Sequence, residues 1–201
     1  MADLILLRHG QSQWNLENRF TGWVDVPLSE RGIAEARAAG TKLRGRRIDR
    51  VYTSVLQRAI DTADLALEEA RLRDIPTIRD AALNERMYGE LQGKDKDEAR
   101  REFGEDQVKV WRRSYDVRPP GGESLADTAA RVLPYWESTI RPDLVAGRHV
   151  LVAAHGNSLR ALAMHLENLT KEQVLELEIP TGQPIRYDID PDGRMRGKQV
   201  L

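Results

Sequence analysis

The chain of 201 residues contains no cysteine. That excludes disulfides, thiolate nucleophiles and zinc sites built on sulfur. Charge of neither sign is in excess: 31 Lys and Arg stand against 32 Asp and Glu, a formal net charge of −1. Such a balance gives no general attraction to nucleic acid or to an anionic membrane, and neither is expected as a partner. No apolar stretch reaches membrane length, and the run Leu4-Ile5-Leu6-Leu7 is broken by Arg8 before it could form the core of a signal peptide. A soluble, cytoplasmic protein is the expectation. No Gly-x-Gly-x-x-Gly occurs. Gly89-Glu90-Leu91-Gln92-Gly93-Lys94 suggests a P-loop only superficially, with three residues between its glycines and no Ser or Thr after the lysine. No linker separates independent cores and no low-complexity segment is present, so residues 1–201 read as a single domain.

What is there is a short sequence stated twice. Leu4-Ile5-Leu6-Leu7-Arg8-His9-Gly10-Gln11-Ser12 opens the chain, and Val150-Leu151-Val152-Ala153-Ala154-His155-Gly156-Asn157-Ser158 returns late in it. Each is a continuous apolar run, then His-Gly, then two polar residues. A run of this kind reads as a strand buried on both faces, as in a parallel sheet. Ligands of open α/β sheets sit beyond the carboxyl ends of the strands, which is where both histidines would stand. Two buried core histidines are the alternative, and the matching contexts weigh against it.

Five strands are expected: Leu4 to Leu7, Arg50 to Thr53, Pro76 to Arg79, His149 to Ala154 and Ile185 to Ile189. Between them lie helical patterns. Ser29 can cap a helix presenting Ile33, Ala36, Gly40 and Leu43, stopped by Gly45. Ser54-Val55-Leu56-Gln57 has the form of a capping box ahead of Ala59, Ala63, Ala66 and Leu67. Ser124 opens a helix aligning Leu125, Ala129, Val132, Trp136 and Ile140, in which Pro134 should produce a kink. A fourth helix follows Asn157 and buries Leu159, Leu162, Ala163 and Leu166. Strands alternating with helices predict an α/β fold, a mostly parallel sheet with helices on both faces. One stretch breaks the alternation: Lys94 to Arg118 is dense in charge and ends at Pro119-Pro120-Gly121-Gly122. It reads as a charged helical excursion of about residues 94–122, either solvated or folded over the site as a lid.

The chemistry lies in Arg8, His9, Arg58, Glu85 and His155. A histidine nucleophile must be neutral and must expose one ring nitrogen while an acceptor holds the other N–H. Guanidinium groups suit the phosphoryl group it would attack, because their fork matches phosphate oxygens in pairs. Arg8 adjoins His9, and Arg58 falls on the first turn of a helix. Glu85, after a strand end, can act as general acid or base, its alternative being a surface ion pair. His149 and His165 lack supporting neighbours, and Trp14, Trp23, Trp111 and Trp136 read as packing residues. No Cys or His cluster stands at metal-ligand spacing, and no metal is expected.

These residues lie within longer blocks. Leu7-Arg8-His9-Gly10-Gln11-Ser12-Gln13-Trp14-Asn15, Asn18-Arg19-Phe20-Thr21-Gly22-Trp23 and Tyr52-Thr53-Ser54-Val55-Leu56-Gln57-Arg58-Ala59 come first. Leu83 to Gly93, Trp111-Arg112-Arg113, Ala154 to Arg160 and Ile179-Pro180-Thr181-Gly182 follow. In these blocks the sequence closely resembles the cofactor-dependent phosphoglycerate mutases of the histidine phosphatase superfamily. The resemblance implies that His9 is the phosphorylated nucleophile and Glu85 the proton donor and acceptor, with Arg8, Arg58 and His155 around the transferred group. It implies further contacts from Ser12, Asn15 and Gly156. Thr21, Gly22, Tyr88, Lys96, Arg112, Arg113 and Asn157 match positions holding the substrate's carboxylate and second phosphate. Gln11 stands where the family commonly has Glu, and Met87 where many members have His. The segment around Pro119 to Ser124 is shorter than in many members, as is the part beyond Asp188, where Pro191, Gly193 and Gly197 favour a turn and a mobile end.

The function so implied is interconversion of 3-phosphoglycerate and 2-phosphoglycerate, with 2,3-bisphosphoglycerate as the cofactor that phosphorylates His9. Relatives of this kind form homodimers or homotetramers. A histidine phosphatase acting on small phosphorylated metabolites is the alternative enzyme, and Lys96, Arg112 and Arg113 weigh against it. The intact set at Arg8, His9, Arg58, Glu85 and His155 weighs against a catalytically dead binding protein.

Overall fold

A computed structural model describes residues 1–201 and places six strands in one sheet, in the order β3-β2-β4-β1-β5-β6. β1 (Ala2–Arg8), β2 (Arg50–Thr53), β3 (Thr77–Arg79) and β4 (Val150–Ala154) run parallel. β5 (Pro184–Ile189) pairs antiparallel with β1, and β6 (Met195–Val200) antiparallel with β5. The five expected strands are all present. β6 was not foreseen: Met195 to Leu201 forms a hairpin with β5, and the Leu201 N–H donates to the Pro184 carbonyl at 3.0 Å. The end read as mobile is therefore an edge strand.

Alternation along the central strands divides the core into two layers, because successive side chains leave opposite faces of a strand. Leu4, Leu6, Tyr52, Val150 and Val152 pack on one face against α6 (Leu125–Tyr135), the turn Trp136–Ile140, α7 (Arg141–Val145) and α8 (Gly156–Glu167). Ile5, Leu7, Val51, Leu151 and Ala153 pack on the other against α2 (Glu30–Leu43) and α3 (Gln57–Ala70). α9 (Lys171–Glu176) leads toward β5.

Two local expectations are corrected, and a third takes a particular form. Ile33 is exposed, and Gly32 takes the inward position on α2. A Cβ there would stand 2.0 Å from the Gln11 carbonyl oxygen, so only glycine permits that approach of two backbones. Ser54 makes no capping box: Leu56 stands at the N-cap of α3 without a side-chain cap, and the Ser54 hydroxyl has another partner described below. Pro134, where a kink was expected, falls next to the end of the regular helix. α6 continues one residue past it and then widens into a π-helical turn that keeps Trp136 and Ile140 in the core.

The charged excursion folds as α4 (Lys96–Phe103) and α5 (Glu105–Arg113). It has a small apolar core of its own, in which Ala99, Val108 and Trp111 pack with Phe20 and Leu91. Backbone hydrogen bonds tie its start to the segment after the short α1 (Gln13–Leu16), Phe20 N–H to the Lys94 carbonyl and Lys96 N–H to the Asn18 carbonyl. The excursion is thus packed down beside the carboxyl ends of β1 and β4.

Candidate active site

The parallel register of β1 and β4 pairs Arg8 with Ala154, so the next residue of each strand leaves the sheet at the same level. These are His9 and His155, whose ring centroids lie 5.0 Å apart. The first His-Gly pair leads to α1 and the second opens α8 directly. Gly10 is required by a close approach: a Cβ would stand 2.2 Å from the Gly32 carbonyl oxygen.

His9 is held as a nucleophile needs to be. Its Nδ1 lies 2.6 Å from the Gly10 carbonyl, an acceptor, so Nδ1 carries the proton and Nε2 keeps its lone pair. Burial, followed by the nearby Arg58 and Arg8 cations, holds the ring well below its ordinary value of 6.5. It is neutral at physiological pH.

The cations beside it are fixed without carboxylate partners. Arg58 is 1% exposed, and its two terminal nitrogens donate to the carbonyls of Val24 at 2.9 Å and Gly22 at 2.7 Å. Arg8 donates to the Ile179 carbonyl at 2.9 Å. Both Nε–H groups are buried without an acceptor, as are Thr21 Oγ1 and His155 Nδ1. Buried polar groups are rarely left unpaired, and a set of them around one point fits an incoming phosphate group.

Glu85 is 8% exposed and is the acid–base candidate. Its Oε1 accepts the backbone N–H groups of Arg86 at 2.7 Å and Asn157 at 3.1 Å, which leaves Oε2 to face a substrate. Its carbonyl is gripped by Trp23 Nε1 at 2.6 Å and Arg131 Nη2 at 2.9 Å.

These residues open into a cleft of about 230 Å³ whose far wall is also cationic. Thr21, Gly22, Tyr88, Lys96, Arg112, Arg113, Gly156 and Asn157 line it as expected. Asn15 lines it too, with Oδ1 accepting the Ser12 N–H and its amide donors left over. Burial first, then Arg112 and Arg8, lowers Lys96 to about 8. Arg112 is lowered as well, by burial and by its cationic neighbours Arg113, Arg100 and Arg86. The excursion is therefore a wall of the site.

Two expected residues do not line the cleft: His155, which is buried against His9, and Ser12. Ser12 is fully buried and caps α1, its hydroxyl accepting the Asn15 N–H at 3.1 Å. Gln11 and Met87 do not line the cleft either, so those two departures from the family pattern lie outside the walls. Four lining residues were missed: Arg19, Phe20, Arg160 and Glu178. Arg160 stands three residues after Asn157 on α8, a spacing that could have placed it on the same face. It donates to Asn157 Oδ1 at 3.2 Å and to the Leu177 carbonyl at 2.8 Å. Glu178 lies 3.2 Å from Arg113 and 3.8 Å from Arg160. With Glu85 it makes two carboxylates against seven cationic side chains in the lining. No group of three or more His, Cys, Asp or Glu side chains that could hold a metal ion is present.

A parallel sheet with paired histidines at adjacent strand ends, two guanidiniums and a carboxylate defines a class. The chain belongs to the histidine phosphatase superfamily, branch 1, whose model matches residues 4–196. Over 200 residues it is 58% identical to a 2,3-bisphosphoglycerate-dependent phosphoglycerate mutase of Methylobacterium radiotolerans, covering 98% of this chain and 94% of that one. It is 55% identical to the protein of the same name from Brucella anthropi, covering 98% and 97%. A phosphoglycerate mutase of Schizosaccharomyces pombe is 54% identical, with 98% and 95% covered. Among solved structures, Bacillus stearothermophilus YhfR superposes with a TM-score of 0.86 at 28% identity, covering 98% and 95%. A mycobacterial glucosyl-3-phosphoglycerate phosphatase complexed with VO3 gives 0.85 at 28%, covering 100% and 97%.

Proposed function

We propose that the protein is a phosphoglycerate mutase, interconverting 3-phosphoglycerate and 2-phosphoglycerate through a phosphohistidine at His9. The observation that carries this reading is one cleft with two anion-binding ends. Arg8, His9 and Arg58 line the reacting end, with His155 buried against His9, and Lys96, Arg112, Arg113 and Arg160 form the other. The names of relatives at 54–58% identity agree with it. A phosphatase for simple monoesters has no need of the second cationic end.

The buried donors on Arg8, Arg58, Thr21 and His155 fit a phosphate of 2,3-bisphosphoglycerate, and the far cations fit its other anionic groups. That cofactor, when bound, supplies the phosphoryl group that charges His9. In the forward step the free hydroxyl of a monophosphoglycerate attacks the phosphorus of phosphohistidine. The N–P bond breaks, and Glu85 takes the hydroxyl proton through Oε2. In the reverse step Glu85 returns a proton to the leaving oxygen. Arg8 and Arg58 offset the charge on the equatorial oxygens throughout, already in place because backbone carbonyls hold them. Asn15 and the backbone at the start of α8 add neutral donors.

No helix is long and apolar enough to cross a membrane. We place the enzyme in the cytoplasm, acting on small phosphoglycerates as one catalytic domain. A coupled assay with 3-phosphoglycerate tests the reading. Turnover that depends on added 2,3-bisphosphoglycerate supports it, and release of inorganic phosphate without isomerisation would favour the phosphatase.

A further inference from the structure

The catalytic description leaves one buried hydroxyl unused. Ser54 follows β2, is fully buried, and places its Oγ 2.7 Å from Nε2 of His155. The same oxygen accepts the backbone N–H of Leu56 at 3.2 Å. A hydroxyl has one proton to give, and no other acceptor of this one is present. The second ring nitrogen of His155, Nδ1, is buried with no partner at all.

Two neutral tautomers are open to His155, and they differ in cost. With the proton on Nε2, the ring donates to Ser54, the hydroxyl proton has no acceptor in a dry site, and Nδ1 presents a lone pair. With the proton on Nδ1, the Ser54 hydroxyl donates to Nε2 while accepting from Leu56, and Nδ1–H is a free donor. Leaving a buried donor unmade is the expensive choice. The ring lies beside His9, where a phosphoryl group would carry negative charge, so a lone pair there would also be repelled.

We infer that Ser54 is a positioning residue that fixes His155 as its Nδ1–H tautomer, so that the ring donates a hydrogen bond to the phosphoryl group being transferred to and from His9. This rests on the proposed function only in taking a phosphoryl group to His9. No proton leaves His155 during transfer. The His9 Nε2 lone pair forms the N–P bond, the P–O bond breaks, and the leaving oxygen takes its proton from Glu85, while Nδ1–H stays on the ring. The role follows the logic of other sites in which a second residue sets a catalytic tautomer.

The direct test is 15N NMR of protein labelled in its four histidines, with the His155 signals assigned by their loss in His155→Gln. Neutral imidazole nitrogens with and without a proton resonate far apart, so the tautomer is read without any substrate. The expected spectrum has protonated Nδ1 and bare Nε2 in the unmodified enzyme. An Nε2–H tautomer would overturn the inference even if His9 becomes phosphorylated, and failure to phosphorylate His9 would overturn the function while leaving the tautomer intact. Ser54→Ala should mix or reverse the tautomers and slow phosphohistidine formation by about ten- to a hundredfold, the scale of weakening one charge-stabilising donor. KM should change less than about threefold, a pattern that general loosening of the fold would not give. Ser54→Thr keeps the hydroxyl and should restore both the spectrum and the rate. Slowing by Ser54→Ala with the tautomer unchanged would contradict the role.

Discussion

Glu123 and Arg131 form a two-pronged ion pair beside the loop that carries Glu85, Nε to Oε1 at 2.9 Å and Nη2 to Oε2 at 2.9 Å. The rest of the Arg131 fork reaches the carbonyls of Ala82, Asn84 and Glu85 at 2.7, 3.0 and 2.9 Å. The face of Trp23 lies over the guanidinium at 5.5 Å. Glu123 also accepts the Met87 N–H at 3.0 Å, so one pair holds the chain on both sides of Glu85.

Replacing Arg131 with Met should therefore affect both stability and catalysis. Both partners are about four-fifths buried, and removing one leaves a carboxylate and three carbonyls short of donors. A loss of about 3 kcal/mol is expected in urea unfolding, at the low end for a broken buried pair. kcat should fall more than KM rises, because the loop carries Glu85. An unchanged kcat would show that Glu85 is placed by its own contacts with Arg86 and Asn157 alone.

Glu85→Gln should leave substrate binding nearly intact and lower kcat by about a hundredfold or more, the usual scale for acid–base catalysis. Arg113→Ala should mainly raise KM. Steady-state kinetics of the two variants separate these roles, and the opposite pattern would refute the assignment.

Lys96 should give the pH profile an alkaline limb. Lowered to about 8 by burial and by Arg112, it loses its charge above that pH in the free enzyme. The profile of kcat/KM should fall above about pH 8 through rising KM. Lys96→Met should raise KM below about pH 8, converge on the unmodified enzyme at alkaline pH and remove that limb.

Acid stability carries the mark of the histidine pair. His9 and His155 are both held well below 6.5, first by burial and then by Arg58. In the unfolded chain both take up protons near 6.5 that the native protein does not bind. Their contribution is full above pH 6.5 and declines as pH falls, down to the depressed native values. The slope below 6.5 approaches about 1.4 kcal/mol per pH unit for each ring. Urea unfolding between pH 7.5 and 5.5 should show this loss, and a flat profile would contradict it. His155→Asn should reduce the slope by about half.

Much of this was legible in the chain because buried parallel strands leave a plain signal, and the two apolar runs ending in His-Gly fixed where the histidines stand. The sheet's last strand was not legible. Met195 to Val200 has no fully buried residue, only Met195 and Gly197 half-buried among exposed ones, and Gly197 looks like a breaker. It lies opposite Asp188, at an irregularity in the ladder, and does not break the strand. Hydroxyls misled the reading in two places. Ser12 stood in a catalytic motif yet serves as a cap, whereas Ser54 had the pattern of a cap yet bonds to His155. Short patterns cannot tell which of two buried acceptors a serine will meet. Glu178 entered the cleft through packing of the segment before β5, a long-range effect with no local sign.

The central claim is that His9 carries the phosphoryl group. A phosphorylated imidazole is labile in acid and comparatively stable in base, which separates it from phosphoserine. The enzyme incubated briefly with 32P-labelled 2,3-bisphosphoglycerate, denatured in alkali and digested, should yield label on the peptide containing His9, lost on acid treatment and absent from His9→Ala. Label that survives acid, persists in His9→Ala, or fails to form in the unmodified enzyme would contradict the account.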